Sequence, residues 1–177
     1  AAATLSWIAG EALSKGKASM LGAASGAVAG LVAITPACGF VGPMGAVIIG
    51  LASGLVCLWG VNGLKRMLGA DDSLDVFGVH GVGSIIGMLM LGFLANADVN
   101  PAIATTFQVN GAAVSLAGGT AQFMNQLKAV LFTAGLGAVA TFLILKLVHV
   151  TIGLRVDQED ESVGLDLSQH GERAYNE

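Results

Sequence analysis

The sequence predicts an all-α membrane protein, and three observations support that fold class. The mean hydropathy is +0.76, and 54% of the 177 residues are hydrophobic whereas only 11% are charged. Soluble domains carry about 25% charged residues. Several stretches without Asp, Glu, Lys or Arg are long enough to cross a bilayer, which takes about 20 apolar residues in a helix. The 26 glycines suit helices that pack closely within lipid.

Charged residues and helix breakers divide the chain into one partial and four complete spans. Ala1–Gly10 is typical of the second half of a spanning helix, and without an initiating Met it predicts that the chain is a piece of a longer protein. The charge-free interval between Lys17 and Lys65 is too long for one helix, and the Pro- and Gly-containing stretch Thr35–Pro43 divides it. The predicted segments are Ala1–Gly10, Ala18–Ile34, Met44–Leu64, Val76–Ala97 and Lys128–Leu154.

Two polar segments complete the predicted organisation. Asn96–Gln126 is rich in Asn, Thr, Gln and Gly and lacks Lys and Arg, so we predict a long loop of the kind that is usually either functional or disordered. From Arg155 onward acids outnumber bases, which indicates a solvated tail. The prediction is therefore a transmembrane region, 1–154, followed by a tail, 155–177.

The basic residues predict an orientation in the membrane. Cytoplasmic loops carry an excess of Lys and Arg. If the predicted spans alternate in direction, almost all of these residues fall on one side. That side carries Lys15, Lys17, Lys65, Arg66, Lys146 and Arg155. It is therefore predicted to be the cytoplasm, and the tail is predicted to lie in it.

His80 is the strongest candidate for a functional residue. It lies inside the charge-free span Val76–Ala97, and an ionisable side chain at that depth is costly to bury, so it is a functional-site hypothesis by default. The alternative is a non-transporting assembly or regulatory bundle in which His80 hydrogen-bonds a neighbouring helix. A membrane enzyme would need a second ionisable group at membrane depth, which the spans do not offer.

Other residues predict structure rather than function. Glycines recur every four residues and predict close helix packing; these ladders are Gly22–Gly26–Gly30, Gly50–Gly54 and Gly83–Gly87. Asp75 directly precedes the span with His80 and is expected to cap that helix. Cys38 and Cys57 lack metal-ligand spacing and are expected to be small buried residues. His149 is expected to be interfacial or satisfied in the core. No cofactor, metal or nucleic-acid partner is expected.

Three separated motifs, in this order, resemble the ammonium transporter (Amt/Mep/Rh) family, particularly its bacterial Amt branch. Thr35–Gly39 resembles the loop after the eighth helix of that family. Asp75–Gly81 resembles the pore-histidine motif of its second repeat, and Gly153–Tyr175 contains segments similar to its cytoplasmic tail. The resemblance covers essentially the whole chain but leaves out the family's first six helices and part of the seventh. Asn96–Gln126 matches the family least well.

The resemblance implies the C-terminal part of an eleven-helix subunit, the second of two inverted repeats, within a homotrimer of the inner (plasma) membrane. The pore would lie between the repeats, so the chain is expected to need the missing N-terminal half and to be inactive alone. The implied function is ammonium transport in which ammonium is deprotonated and ammonia is conducted, with a proton relay through imidazole as an additional step. A Rh-type gas channel remains an alternative.

The resemblance also implies site residues. Its pore residues match His80, Val76 and Val28, and polar positions near the conduit match Thr35 and Ser25. Asp75 and Gly81 match the support of the pore helix. A charged ammonium ion is expensive to bring to the bilayer centre, whereas neutral ammonia avoids most of that cost, and burial is expected to keep the His80 imidazole neutral.

The resemblance further implies a regulatory tail that lies against the cytoplasmic face. A PII signal protein can dock on that same face. The matching residues of the tail are Gly164, Asp166, Ser168, His170, Gly171 and Tyr175. Gly164 and Gly171 are expected to supply tight turns, and a phosphate on Ser168 would add negative charge beside Asp166. The alternative is a disordered solubilising tail, which the acidic cluster Asp157–Glu161 favours.

Overall fold

The computed structural model describes residues 1–69, 71–105, 108–109 and 112–173 of the chain. Its described part contains four helical segments that are long and apolar enough to cross a membrane: Met20–Ala37, Pro43–Leu68, Phe77–Leu94 and Thr120–Thr151. Each of the four complete spans predicted from the sequence overlaps one of these segments. The all-α membrane fold class is therefore confirmed at this level.

Most of the described chain is helical. The α-helices are α1 (Ala2–Lys15), α2 (Met20–Ile34), α3 (Pro43–Trp59), α4 (Lys65–Leu68), α5 (Val82–Leu94), α6 (Ala102–Thr105), α7 (Thr120–Thr151) and α8 (Gln158–Val163). A 3-10 turn covers Thr35–Ala37, and π-helical turns cover Gly60–Leu64, Phe77–Gly81 and Asp166–His170. Two short antiparallel strands, β1 (Gln108–Val109) and β2 (Ala112–Ala113), pair within the loop before α7.

Local sequence explains how the helices of the first half begin and end. The Ser19 hydroxyl accepts a hydrogen bond from the N–H of Gly22 and so caps the start of α2. A Pro at the first position opens α3. Gly16 closes α1 in the left-handed region, with a φ of 78°, which a residue without a Cβ adopts at little cost.

Two predicted boundaries were wrong. Helix α1 continues to Lys15, beyond the predicted end at Gly10, because a single glycine does not stop a helix. Helix α7 begins at Thr120, inside the segment Asn96–Gln126 that was predicted to be a loop. The polar residues at its start concealed the helix, whose first bonds include the N–H of Phe123 donating to the carbonyl of Gly119.

The glycine ladders place helix backbones in direct contact, as predicted. A Cβ at Gly26 would lie 2.7 Å from the Cβ of Trp7 in α1, and a Cβ at Gly50 would lie 2.9 Å from the Cβ of Ala2. A Cβ at Gly87 of α5 would collide with the carbonyl oxygen of Ala33 in α2. Bare backbone at these glycines thus lets the helices pack closely.

The chain divides into two compact units, Ala1–Leu131 and Phe132–Glu177. The first unit has two clusters of buried apolar side chains. One contains Ala33, Ala37, Ile49, Leu91, Ala95 and Ile103, and the other contains Trp7, Ala29, Cys57, Val79 and Val82. The second cluster lies directly beside the turn that carries His80. The second unit contains the later part of α7, then α8 and the π-helical turn Asp166–His170.

Candidate functional site

His80 lies in the π-helical turn Phe77–Gly81, at the start of the third predicted span. In this turn the N–H of Val82 donates to the carbonyl of Phe77, five residues earlier. Single π-helical turns inside helices occur frequently at functional sites. The imidazole of His80 is exposed on the surface of this chain, and it makes no hydrogen bond to the residues that the structure describes. A histidine that merely joined two helices of this bundle would have such a partner.

The other candidate conduit residues lie on the same turn or on the helix packed against it. Val76 precedes His80 by four residues and is 52% exposed, so the two side chains share one side of their helix. Helix α2 packs against the His80 turn. On α2, Val28 follows Ser25 by three residues, and Thr35, the first residue of the 3-10 turn after α2, follows Val28 by seven, which places the three on one helix face.

That face of α2 is largely open in this chain. Val28 is 39% exposed, Thr35 is exposed and Ser25 is half-buried. The Thr35 hydroxyl donates to the carbonyl of Leu31, at an O–O distance of 2.7 Å. The structure thus brings together the two elements that carry the predicted conduit residues and leaves most of those side chains uncovered.

Asp72, and not Asp75, caps the helix that carries His80. The two carboxylate oxygens of Asp72 accept hydrogen bonds from the N–H groups of Val76 and Phe77, at 2.8 and 2.9 Å. Burial alone would raise the pKa of Asp72. This effect of burial is outweighed, and the pKa is lowered, by hydrogen bonds from the N–H groups of Val76, Phe77 and Gly78 and by the nearby Lys65 charge. The prediction that Asp75 provides the cap was wrong.

Asp75 supports the same helix through a different contact. Its backbone is left-handed, with a φ of 55°, and this turns its carboxylate away from the first helical N–H groups. The carboxylate instead forms an ion pair with Lys65, with an Nζ–Oδ1 distance of 2.8 Å. The carbonyl of Asp75 accepts the N–H of Val79 at 2.9 Å. Sequence reasoning used Lys65 only to orient the chain and missed this pair.

A polar cavity of about 230 Å³ lies between α1, α2 and the segment around Lys65. Its polar lining residues are Glu11, Lys15, Ser19, Ser25, Asn62, Lys65 and Asp75. Glu11 is only 6% exposed and was not singled out from the sequence. Its carboxylate accepts hydrogen bonds from the N–H and the hydroxyl of Ser19, each at 3.0 Å. The hydrogen bond from the Ser19 N–H is the main cause that lowers the pKa of Glu11. Burial of the Glu11 carboxylate opposes that shift.

Two further predicted residues have local structural explanations. The Phe77 ring covers Gly81, where a Cβ would lie 2.8 Å from the ring atom Cδ2. Cys57 is fully buried, as predicted, and its Sγ donates to the carbonyl of Val79 at 3.7 Å.

Cys38 is exposed, so the prediction that it is buried was wrong. His149 and His170 are exposed on α7 and in the tail.

The described part of the tail is folded on itself. Gly164 and Gly171 have φ angles of 98° and 67°, which allow sharp turns at both positions. An Nε2–Oδ2 hydrogen bond of 2.9 Å joins Gln169 to Asp160. The Ser168 hydroxyl donates to the Asp160 carbonyl at 3.5 Å. Tyr175, also predicted to belong to the regulatory tail, lies outside the described residues.

Comparisons with known proteins agree over nearly the full chain. A family model described as "Ammonium Transporter Family" matches residues 1–175. The ammonium transporter of Bacillus subtilis (strain 168) is 44% identical over 177 residues, which is 100% of this chain and 42% of that protein. The ammonium transporter of Mycobacterium tuberculosis (strain ATCC 25618 / H37Rv) is 44% identical over 99% of this chain and 36% of its own length.

Solved structures give the same result for the fold. The crystal structure of Saccharomyces cerevisiae Mep2 has a TM-score of 0.77 and 32% sequence identity, covering 90% of this chain and 35% of that one. The N240A mutant of Candida albicans Mep2 has a TM-score of 0.78 and 30% identity, covering 96% and 37% of the two chains. The chain therefore spans well under half the length of the relatives that it matches.

Proposed function

Because the chain belongs to the ammonium transporter family, we propose that it forms the C-terminal portion, the second inverted repeat, of a subunit that transports ammonium. The observation that carries the proposal is the exposed imidazole of His80 on a span that contains no other ionisable side chain. An ionisable group at this depth normally faces a pathway or another part of the protein rather than lipid.

The exposed conduit residues support a pore that is completed by other residues of the subunit. Val76, Val28 and Thr35 are exposed among the residues that the structure describes, and they lie on elements that pack together around the start of the His80 helix. In an inverted-repeat transporter the substrate path runs between the repeats. One repeat alone would therefore leave its half of the path open, and we do not expect the 177-residue chain to conduct by itself.

The chemistry of such a path follows from desolvation. Moving a charged group to the bilayer centre costs about 2.5–3.5 kcal/mol on insertion scales, and the apolar side chains of Val76 and Val28 offer nothing to offset that cost. Loss of a proton converts ammonium to ammonia, which carries no charge. The imidazole of His80 then provides a hydrogen-bonding partner, and because it can accept at one nitrogen and donate from the other it can also relay the proton.

Substitution of His80 in the full-length protein tests the proposal. His80→Ala removes the one ionisable side chain of the span Phe77–Leu94, so ammonium flux into vesicles should fall at least about tenfold. His80→Asp places an acid in the path and should let potassium through. His149→Ala is the matched control. It also removes a histidine from a spanning helix, but His149 belongs to α7 and is not one of the candidate site residues. Wild-type flux and selectivity in both His80 variants would contradict the proposal.

We further propose that the subunit assembles as a homotrimer with its tail in the cytoplasm, where a PII signal protein docks. The cytoplasmic placement rests on the Lys and Arg distribution. The compact fold of Gln158–Gly171 supports a docking element more than a purely solubilising segment, because it is held by specific hydrogen bonds and by an ion pair of 2.8 Å between Arg155 and Glu161.

A further inference from the structure

Two π-helical turns lie side by side at the candidate site. One covers Gly60–Leu64 at the end of α3, and the other, Phe77–Gly81, carries His80. The turns pack against each other through their glycines. A Cβ at Gly60 would lie 2.9 Å from the carbonyl oxygen of Gly78, and a Cβ at Gly78 would lie 2.7 Å from Cγ1 of Val61. Only glycine at both positions allows this approach without a shift of the backbone.

Specific contacts on either side of the glycines hold the turns in register. On one side the buried Cys57 donates its S–H to the carbonyl of Val79, with an S–O distance of 3.7 Å. On the other side Lys65, the residue directly after the first turn, pairs with Asp75, two residues before the second turn. The order of contacts is antiparallel, so sliding one turn along the other would break all of them together.

We propose that the two π-helical turns form one unit whose register is fixed by the Lys65–Asp75 ion pair, and that this unit sets the direction of the His80 imidazole. Lys65 and Asp75 are then positioning residues for transport. The inference deepens the proposed function, on which its transport measurements rest. A site that is otherwise intact loses activity when its supporting contacts are removed, because the reacting group is no longer held in the productive direction.

The geometry predicts that Lys65 matters more than Asp75. Lys65 pairs with Asp75 and also lies close enough to Asp72 to lower the pKa of that carboxyl. Removing the cation therefore leaves two neighbouring carboxylates without a counter-charge. Removing the Asp75 charge leaves Lys65 with Asp72. Both side chains of the pair are about one-third exposed, at 31% and 37%, so solvent screens the interaction and its effect is moderate.

Variants of the full-length protein in lipid vesicles test the proposal. Lys65→Met should lower ammonium flux and the ammonium-over-potassium ratio by about two- to fivefold, and Asp75→Asn by less. Lys65→Arg keeps the charge and should retain wild-type values. Asp75→Gly relieves the left-handed backbone but loses the pair, so it should resemble Asp75→Asn. If Asp75→Gly instead behaves as wild type, backbone conformation alone sets the site and the ion pair does not.

A spectroscopic measurement reports on His80 directly. In protein with ¹⁵N-labelled histidine, the imidazole signals of His80 are identified by their loss in His80→Ala. Lys65→Met should shift them, whereas Lys65→Arg should not. Lys17→Met is the matched control, because it removes an exposed lysine charge that does not line the polar cavity containing Lys65 and Asp75, and it should leave the signals in place.

The two measurements separate this inference from the proposed function. Shifted His80 signals in Lys65→Met, together with normal transport in His80→Ala, would support the positioning role and overturn the function of His80 in the pore. Unshifted signals and unchanged flux in Lys65→Met, together with lost transport in His80→Ala, would overturn the positioning role and leave the pore function standing.

Discussion

Helices α3 and α7 are equally apolar but have very different surroundings within this chain. Their segments Pro43–Leu68 and Thr120–Thr151 have mean hydropathies of 2.1 and 2.0, yet α3 has five buried residues and α7 has one, Gln122, within the described part of the chain. Hydropathy alone therefore identifies a helix that suits a membrane, but it does not indicate whether that helix packs against its own chain. Lipid tails are as apolar as Leu side chains, so apolar surface provides little drive for helices to associate.

The positions of the glycines account for the difference. Gly50 and Gly54 of α3 are four residues apart, share one face and meet the backbone of α1. Gly135 and Gly137 of α7 are two residues apart and point to different sides of the helix, and no described residue has an atom within 4 Å of a Cβ at either position. Helix α3 has three glycines and the longer α7 has two, and only in α3 do two of them lie four residues apart against another backbone.

The largest expected effect is on a ladder glycine. A side chain at Gly54 would collide with the Ser6 hydroxyl and the Ala3 carbonyl, and backbone atoms cannot move aside as the end of a flexible side chain can. Gly54→Leu in the full-length protein should therefore destabilise the fold by about 3 kcal/mol or more. Gly137→Leu should change stability by no more than about 0.5 kcal/mol.

Thermal unfolding in detergent, followed by the loss of the folded protein on a sizing column, measures both variants. Equal damage from the two substitutions would show that α7 packs as tightly as α3 against parts of the protein outside this chain. The contrast between the two helices would then apply only within residues 1–177.

A smaller effect is expected from the loss of a helix cap, which is tested with one variant in each of the two compact units. Asp72 receives two N–H groups at the start of the His80 helix, whereas Asp157 occupies the cap position of α8 without a side-chain hydrogen bond to the helix. Asp72→Ala should lower the unfolding temperature of the full-length protein by a few degrees, and Asp157→Ala should not change it. The interpretation of Asp72 fails if the two variants unfold alike.

The spans were predictable from the sequence because hydropathy is summed over a long window, in which local errors cancel. The start of α7 was not predictable in that way, because Thr120, Gln122 and Asn125 resemble loop residues and only the hydrogen bonds reveal the helix. The cap of the His80 helix was assigned to the wrong Asp because that choice depends on the φ of Asp75. Glu11 was missed because its burial depends on how the start of α2, which begins only a few residues later, folds back against α1.

The stability of the protein at acid pH should depend on the buried carboxylate of Glu11. Its pKa in the folded protein lies below the ordinary value of 4.5, so its ionised form stabilises the fold above pH 4.5, and this contribution is lost as pH falls through the lower folded-state pKa. The unfolding temperature of the wild-type protein should therefore fall between pH 5 and about pH 3 more steeply than that of Glu11→Gln. Parallel curves for the two proteins would exclude Glu11 as a source of acid sensitivity.

Deletion of Val163–Glu177 should have the smallest effect on the stability of the bundle and a specific effect on regulation. The glycine contacts, the Asp72 cap and the Lys65–Asp75 pair all lie within Ala1–Leu131, and the deletion removes none of them, so the unfolding temperature should stay close to that of the wild type. We expect ammonium flux to fall, PII binding to be lost, or both, because the hydrogen-bonded fold around Gly164 and Ser168 disappears. Ser162→Ala is the matched control, since among the described residues this hydroxyl donates only to the Gln158 carbonyl of its own helix, and its loss should change neither flux nor PII binding. Unchanged transport together with unchanged PII affinity in the deletion variant would favour the solubilising tail, and the specific contacts around Asp160 would then serve only the local fold.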